Sequence, residues 1–174
     1  MKEINYKNFK RIYFCGVCGV SMSGLAKHLS INGHIVGGSD KNTCDVYEDL
    51  QKFNVQVFQG NSRKNISAFN PDLVVYTSAI STNGPELTFA KEQNIPTIKR
   101  SQLLGLVVKE YSKSIAVAGC HGKTTTTSMI ANILIFAGFN PTVFLGGYQK
   151  GYGNYLNGSG KICLCEACEY QKNF

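Results

Sequence analysis

Ser114-Ile115-Ala116-Val117-Ala118-Gly119-Cys120-His121-Gly122-Lys123-Thr124-Thr125-Thr126-Thr127 is the stretch on which the fold turns. Its apolar opening, Ser114 to Ala118, reads as a buried strand, and the later Met129, Ile130, Ile133, Leu134 and Ala137 recur at the spacing of one helix face. Gly119 and Gly122 therefore sit at a strand-to-helix turn. The first N–H groups of a helix lack internal partners and the helix dipole adds positive charge there, so phosphate oxygens are favoured. Lys123 can reach the outer phosphates of a nucleotide triphosphate as a point charge, and the Thr124 hydroxyl is placed to ligate magnesium. Four consecutive threonines are poor helix interior because β-branched side chains lose χ1 freedom, so ligand contact or capping by hydroxyls accounts for them. The plain alternative is a glycine-bounded helix start with a solvated lysine. Val117 stands where the usual phosphate loop has its first glycine, and Gly119 follows two residues later, so the loop is a shortened variant.

Upstream, short β-rich runs alternate with helical patterns: Arg11 to Gly16, Met22 to Asn32 and His34 to Gly38 form a βαβ opening. Strands are expected at Val55 to Phe58, Leu73 to Thr77 and Thr97 to Ile98, with helices at Val46 to Phe53, Pro85 to Gln93 and Gln102 to Glu110. This alternation predicts an α/β fold, a Rossmann-like parallel sheet covered by helices on both faces. The pattern turns polar around Lys109 to Ser114, which divides the chain into residues 1–110 and a second, P-loop unit over 111–174. The second unit offers only Thr142 to Leu145, a loop from Gly146 to Gly160, and a strand from Lys161 to Cys165. That is too little for an independent α/β domain, so the C-terminus reads as a truncation.

The chain has 174 residues, a formal net charge of +7 and an ordinary apolar content, enough to bury a core. Its lysines are scattered, without basic clusters interleaved with aromatics, so anionic small molecules account for the charge better than nucleic acid does. No apolar run approaches the roughly 18 to 20 residues of a membrane span, and no signal-peptide pattern precedes the first strand, so a cytoplasmic protein is expected. Seven cysteines include Cys15-x-x-Cys18 and Cys165-x-x-Cys168, a superficial zinc arrangement. Cys15 lies in a strand-like run, and Cys163 and Cys165 alternate along another, as small buried hydrophobes do, so free thiols are the simpler reading.

A second glycine-rich turn, Gly16-Val17-Cys18-Gly19-Val20-Ser21-Met22-Ser23-Gly24, follows the first strand and opens the first helix. Cys18 and Ser21 replace two glycines of the dinucleotide fingerprint, which disfavours an NAD oxidoreductase and leaves another diphosphate group as the expectation. Asp40, roughly twenty residues on, has the spacing at which a carboxylate meets a ribose hydroxyl. A helix-capping turn with an ordinary loop acid is the alternative. Two such turns suggest that one unit holds a nucleotide-linked substrate while the next brings ATP to it.

Here the residues carry a family likeness. Ile12 to Asp40, with Gly16-x-x-Gly19-x-x-Met22-Ser23-Gly24-Leu25-Ala26 and a closing Gly38-Ser39-Asp40, resembles the N-terminal domain of the Mur ligases. Val75-Tyr76-Thr77-Ser78-Ala79-Ile80 resembles that family's strand-end Ser-Ser-Ala-Ile motif, Pro85-Glu86 its Asn-Pro-Glu, and Lys99-Arg100 its basic pair. Cys165-Glu166-Ala167-Cys168-Glu169-Tyr170 is similar to its Glu-Ala-x-Glu segment. His121 resembles the alanine-adding and tripeptide-recycling branches, which differ here from the asparagine of the others, and Met22-Ser23-Gly24 favours the alanine-adding one. Cys18, Ser21 and the extra Gly84 before Pro85 are departures.

The resemblance implies an ATP- and Mg2+-dependent ligase of peptidoglycan precursor synthesis, joining L-alanine to UDP-N-acetylmuramate through an acyl phosphate. It implies that Gly119, Cys120, His121, Gly122, Lys123, Thr124 and Thr125 cradle ATP, and that Lys123 and His121 serve catalysis. Thr124 and Glu166 would hold the metal. Gly16, Gly19, Met22, Ser23, Gly24, Ser39, Asp40, Ser78, Ala79, Glu86 and Arg100 would contact the sugar nucleotide. Glu166 also fits from its place at a strand end beside the phosphate-loop strand, where the alternative is a surface acid. Because the likeness covers only the start of that family's architecture, a binding fragment without turnover is the rival expectation.

Overall fold

Ile12, Tyr13 and Phe14, β-branched and aromatic, form the centre of β1 (Arg11–Cys15), and all three are fully buried. In the computed structural model, which describes residues 4–41 and 46–167, a short 3-10 turn precedes β1. There follow α1 (Val20–Ile31), β2 (Ile35–Asp40), α2 (Tyr47–Lys52), β3 (Gln56–Gln59), α3 (Arg63–Phe69), β4 (Leu73–Tyr76), α4 (Pro85–Glu92), β5 (Thr97–Lys99) and α5 (Arg100–Val108). The five strands form one parallel sheet in the order β3-β2-β1-β4-β5.

Alternation along the strands assigns the faces. Ile12, Phe14, Val36 and Val75 pack with Leu25 and Leu29 of α1, Leu50 of α2 and Leu103 of α5. Tyr13, Cys15 and Val74 pack on the opposite face with Ile66 and Phe69 of α3 and Leu87 and Ala90 of α4. Both faces are covered, as a parallel sheet requires. Gly37 and Gly38, opposite Tyr13 and Phe14, have no room for a side chain: a Cβ would fall 2.5 Å from the Phe69 ring at the first and from the Phe14 carbonyl at the second.

The second sheet comprises β6 (Lys113–Val117), β7 (Thr142–Gln149), β8 (Gly153–Leu156) and β9 (Ile162–Glu166) in the order β6-β9-β7-β8, with α6 (Lys123–Phe136) between β6 and β7 in the chain. β9 runs parallel to both neighbours, while β8 turns back antiparallel on β7. Leu164 packs with Val143, Leu145 and Ala131 of α6. Its neighbours Cys163 and Cys165 point the other way, into the cluster that contains α1. Burial pushes these two thiols up to about 12 and about 11, so they behave as the small hydrophobes expected.

Helix α1 thus lies between the sheets, and every residue from Met22 to Leu29 is buried. Ser23, Gly24, Lys27 and His28 form its stripe toward β7 and β8. This explains why a polar stripe occurs on a helix buried all round.

Four expectations need correction. Ser114 to Ala118, expected to be a buried strand, falls on β6, whose residues are exposed or half-buried because β6 is an edge strand of the second sheet. The segment from Gly146 to Gly160, expected to be a loop, contains the second half of β7 and all of β8. Its glycines and asparagine masked the strands, because they serve close backbone approach and a hairpin turn with Gly151 and Gly153 at positive φ. Helix α3 was not expected at all; Ser62 caps it by accepting the Asn65 N–H, and Asn70 ends it in the left-handed region. Not every cysteine is a free thiol: Cys15, Cys120, Cys163 and Cys165 are, whereas Cys18 is disulfide-bonded. Cys168, Glu169 and Tyr170 lie outside the described residues.

Candidate functional site

The first sheet reverses its strand order between β1 and β4, and ligands of open parallel sheets bind at such a reversal, beyond the carboxyl ends of the strands. The glycine-rich turn after β1 stands at this point. Gly16 takes a positive φ of 79°, and the N–H groups of Gly16 and Val17 both donate to the Ser39 carbonyl at the end of β2, at 2.8 and 3.0 Å. The Asp40 carboxylate accepts the Cys18 N–H at 3.1 Å, so Asp40 shapes the turn itself. Gly19 begins α1. The turn after β4 closes the crevice from the other side: Ser78 and Ala79 are exposed, and Ile80 lies 3.5 Å from where a Gly16 side chain would begin.

Met22, Ser23, Ser39 and Glu86 are almost fully buried. Ser23 donates to the Val20 carbonyl and accepts from Asn154, which turns it toward the second sheet. Glu86 is 3 % exposed and its carboxyl accepts the Tyr13 hydroxyl at 2.8 Å. Burial raises its pKa above the ordinary carboxylate range, with Ser39, Tyr13 and Cys15 only partly opposing. Expected as contacts of the sugar nucleotide, these four side chains are instead buried, Ser23 toward the second sheet and Glu86 against Tyr13.

In the second unit, Gly119 and Gly122 have φ of 149° and 75°, both in the region that favours glycine, and Gly122 directly precedes α6. Cys120, His121 and Thr125 are exposed, and Lys123 and Thr124 half-buried. Lys123 Nζ donates to the Gly119 carbonyl at 2.5 Å, folded over the loop that it would share with a phosphate.

Glu166 ends β9 in register with Val117, the last residue of β6. Its Oε1 accepts the Gly146 N–H at 2.8 Å. A Cβ on Gly146 would fall 2.6 Å from Glu166 Oε2, and one on Gly147 would fall 3.0 Å from Thr124 Cγ2. The Gly146–Gly147 pair of β7 therefore lies against both Thr124 and Glu166. A hydroxyl and a carboxylate brought to one strand end are oxygen donors of the kind magnesium takes. Sequence reasoning missed the two glycines; their adjacency inside a β-branched and aromatic strand was the available signal.

A seam of about 20 Å³, room for one water, joins the two units. Ser21, Gly24 and Leu25 of α1, Arg100 and Leu104 of α5, Phe144 and Gly146 of β7, Asn154 and Glu166 line it. The structure thus brings Gly24 and Arg100, from the first unit, beside Glu166 from the second. Asn154 was not anticipated. Among the described residues no group of three or more His, Cys, Asp or Glu could hold a metal, and no helix is long and apolar enough to cross a membrane.

Residues 11–112 match the sequence model of the Mur ligase family, catalytic domain. A UDP-N-acetylmuramate–L-alanine ligase of Acetivibrio thermocellus is 44% identical over 95% of this chain, which spans 35% of that protein. The corresponding ligase of Agathobacter rectalis is 43% identical over 100% of the chain and 38% of its own length. The crystal structure of UDP-N-acetylmuramate-alanine ligase from Thermotoga maritima superposes with a TM-score of 0.83 at 34% identity, over 90% of this chain and 37% of that one. A murein peptide ligase from Psychrobacter arcticus gives 0.84 at 28% identity, over 92% of this chain and 38% of its own. The chain therefore spans little more than a third of the relatives it matches.

Proposed function

The chain belongs to the Mur ligase family, and on that footing we propose that it supplies the UDP-N-acetylmuramate crevice and the ATP-binding loop of an L-alanine-adding ligase. The observation that carries this reading is the seam, where Arg100 and Gly24 of the sugar-nucleotide unit meet Glu166 and Gly146 beside the phosphate loop. Residues 1–110 would form the first unit, and 111–174 the opening of the ATPase unit.

In this reading the first turn of α1, directly after the Gly16–Gly19 turn, receives the diphosphate through its open backbone N–H groups. Arg100, the first residue of α5, faces the substrate's negative charge from across the seam. Lys123 would leave the Gly119 carbonyl for the outer phosphates of ATP, and Thr124 and Glu166 would hold magnesium. ATP would supply the phosphoryl group that turns the unreactive lactyl carboxylate into an acyl phosphate, with ADP leaving, and the amine of L-alanine would then displace inorganic phosphate and give up a proton as the amide forms. Phosphoryl transfer needs positioning and charge neutralisation rather than covalent help from the protein, and the loop residues supply both. His121, exposed on the loop, would meet the reacting carboxylate. Consumption of ATP and a nucleotide sugar suits a cytoplasmic enzyme.

The short span relative to its relatives favours binding without turnover by these 174 residues alone. Calorimetric titration with UDP-N-acetylmuramate and separately with MgATP, beside an assay of alanine-dependent phosphate release, tests the reading. Binding of both without release is expected; failure to bind UDP-N-acetylmuramate would sink it.

A further inference from the structure

All the polar capacity that Asn154 shows is spent on helix α1, although Asn154 belongs to β8 of the other sheet. Its side-chain amide donates to the Val20 carbonyl at 2.5 Å and to Ser23 Oγ at 2.8 Å, and its carbonyl accepts from Lys27 Nζ at 2.7 Å. Asn154 and Ser23 are 0% exposed and Lys27 is 1% exposed. Lys27 also pairs with Asp49 of α2 and lies 5.4 Å from the centre of the Phe53 ring.

We propose that Asn154 is a positioning residue that fixes the first turn of α1, and with it the open backbone donors that follow the glycine-rich turn, from the ATP-binding unit. This rests on the reading of that turn as the sugar-nucleotide site. Val20 and Ser23 are the first and fourth residues of α1, directly after Gly19. The Ser23 N–H donates to the Gly19 carbonyl at 2.8 Å, so the clamped residues are bonded to the turn itself. On the other side, β8 pairs with β7, where Phe144 faces Tyr155, and β7 carries the Gly146 N–H that holds Glu166. One side chain therefore ties the diphosphate cradle to the strand pair that carries the metal-side carboxylate.

The side chain must be asparagine for a reason of hydrogen-bond sign. Val20 O is an acceptor only, and Ser23 Oγ already donates to it at 3.0 Å, so both need a donor, while the Lys27 ammonium needs an acceptor. An amide offers both; a carboxylate offers only the second.

Asn154→Asp separates positioning from mere neutralisation of a buried lysine. It keeps and strengthens the partner of Lys27 but sets a carboxylate oxygen against Val20 O. Titrations of the 174-residue chain, wild type and variant, should show UDP-N-acetylmuramate affinity lowered about tenfold, with MgATP affinity within twofold, and an unfolding midpoint in urea lowered because Val20 O and Ser23 Oγ lose their donor. Asn154→Ala should lower the same affinity to a similar degree, and lower the midpoint as well. Wild-type sugar-nucleotide affinity in Asn154→Asp, or equal losses for both ligands, would overturn the proposal. Should the wild-type chain bind no UDP-N-acetylmuramate, the functional reading fails by itself. The positioning role is then decided by hydrogen exchange in the ligand-free chain: Asn154→Asp should speed exchange of the Ser23 amide but not of the Leu29 amide, and unchanged exchange at Ser23 would overturn it.

Discussion

Glu166 accepts the Gly146 N–H at 2.8 Å, and its second carboxylate oxygen occupies the space in which any side chain at position 146 would begin. The carboxylate is thus aimed by the strand beside it, and its orientation depends on a missing Cβ.

Gly146→Ala should therefore displace Glu166 without touching the sugar-nucleotide crevice. A drop of about tenfold in magnesium-dependent ATP affinity is expected, with UDP-N-acetylmuramate binding unchanged, both measured by calorimetry. Unaltered MgATP affinity would remove Glu166 from the metal site.

Lys123→Ala removes the ammonium group that lies folded on the Gly119–Gly122 loop. A charge-assisted bond of about 1.5–3 kcal/mol corresponds to roughly a ten- to hundredfold loss of ATP affinity, while the sugar nucleotide still binds. In the longer ligase the same change should abolish alanine-dependent phosphate release. Retained ATP affinity would contradict the phosphate-loop assignment.

His28 is 4% exposed between the Phe144 and Tyr155 rings, its Nδ1 2.9 Å from the Tyr155 hydroxyl. Burial lowers its pKa from 6.5 to about 4, with Glu110 opposing and His34 reinforcing the shift. The folded state holds the neutral ring, so its contribution is present above pH 6.5 and is lost as pH falls toward 4, by roughly 3 kcal/mol at most. Urea unfolding from pH 7 to pH 4.5 should show a clear loss in the wild type and a shallower one in His28→Gln. Parallel profiles would show that His28 does not carry the pH dependence.

Glu86 works in the opposite sense. Its raised pKa means that the fold disfavours the carboxylate, so a cost is present at neutral pH and disappears as the group protonates below its folded pKa. Glu86→Gln can still accept the Tyr13 hydroxyl. Its melting temperature should exceed that of the wild type at pH 8 and match it near pH 4.5; a lower value at pH 8 would mean that the charge is needed.

Helix α6 leaves Met129, Ile133 and Phe136 exposed at 62%, 66% and 96%, with Phe139 beyond its end at 54%. This is a contiguous apolar surface of a kind that soluble proteins seldom leave bare. The purified chain should bind a hydrophobic dye such as ANS and self-associate in sedimentation, and Ile133→Lys with Phe136→Ser should reduce both. A monomeric, dye-negative wild type would show the surface to be covered in solution.

The parallel sheet and both glycine-rich turns were legible because local rules produce them: an apolar run, a glycine that admits positive φ, a helix N-terminus with open donors. The hairpin of β7 and β8 was not, since Gly146 and Gly147 are strand residues only where Thr124 and Glu166 press against them. Ser23 and Lys27 are ordinary polar helix residues in a sequence and become buried ones only when a second sheet closes over α1.

The order of residues along the chain determined which local turns form and which side chains could meet phosphate and magnesium, because those properties depend on neighbours a few positions away. What the tertiary structure alone decided is that Arg100 and Glu166, 66 positions apart, line one seam, and that Asn154 clamps Ser23 across 131 positions. Such pairings follow from the packing of both sheets on α1, and no short-range pattern encodes them.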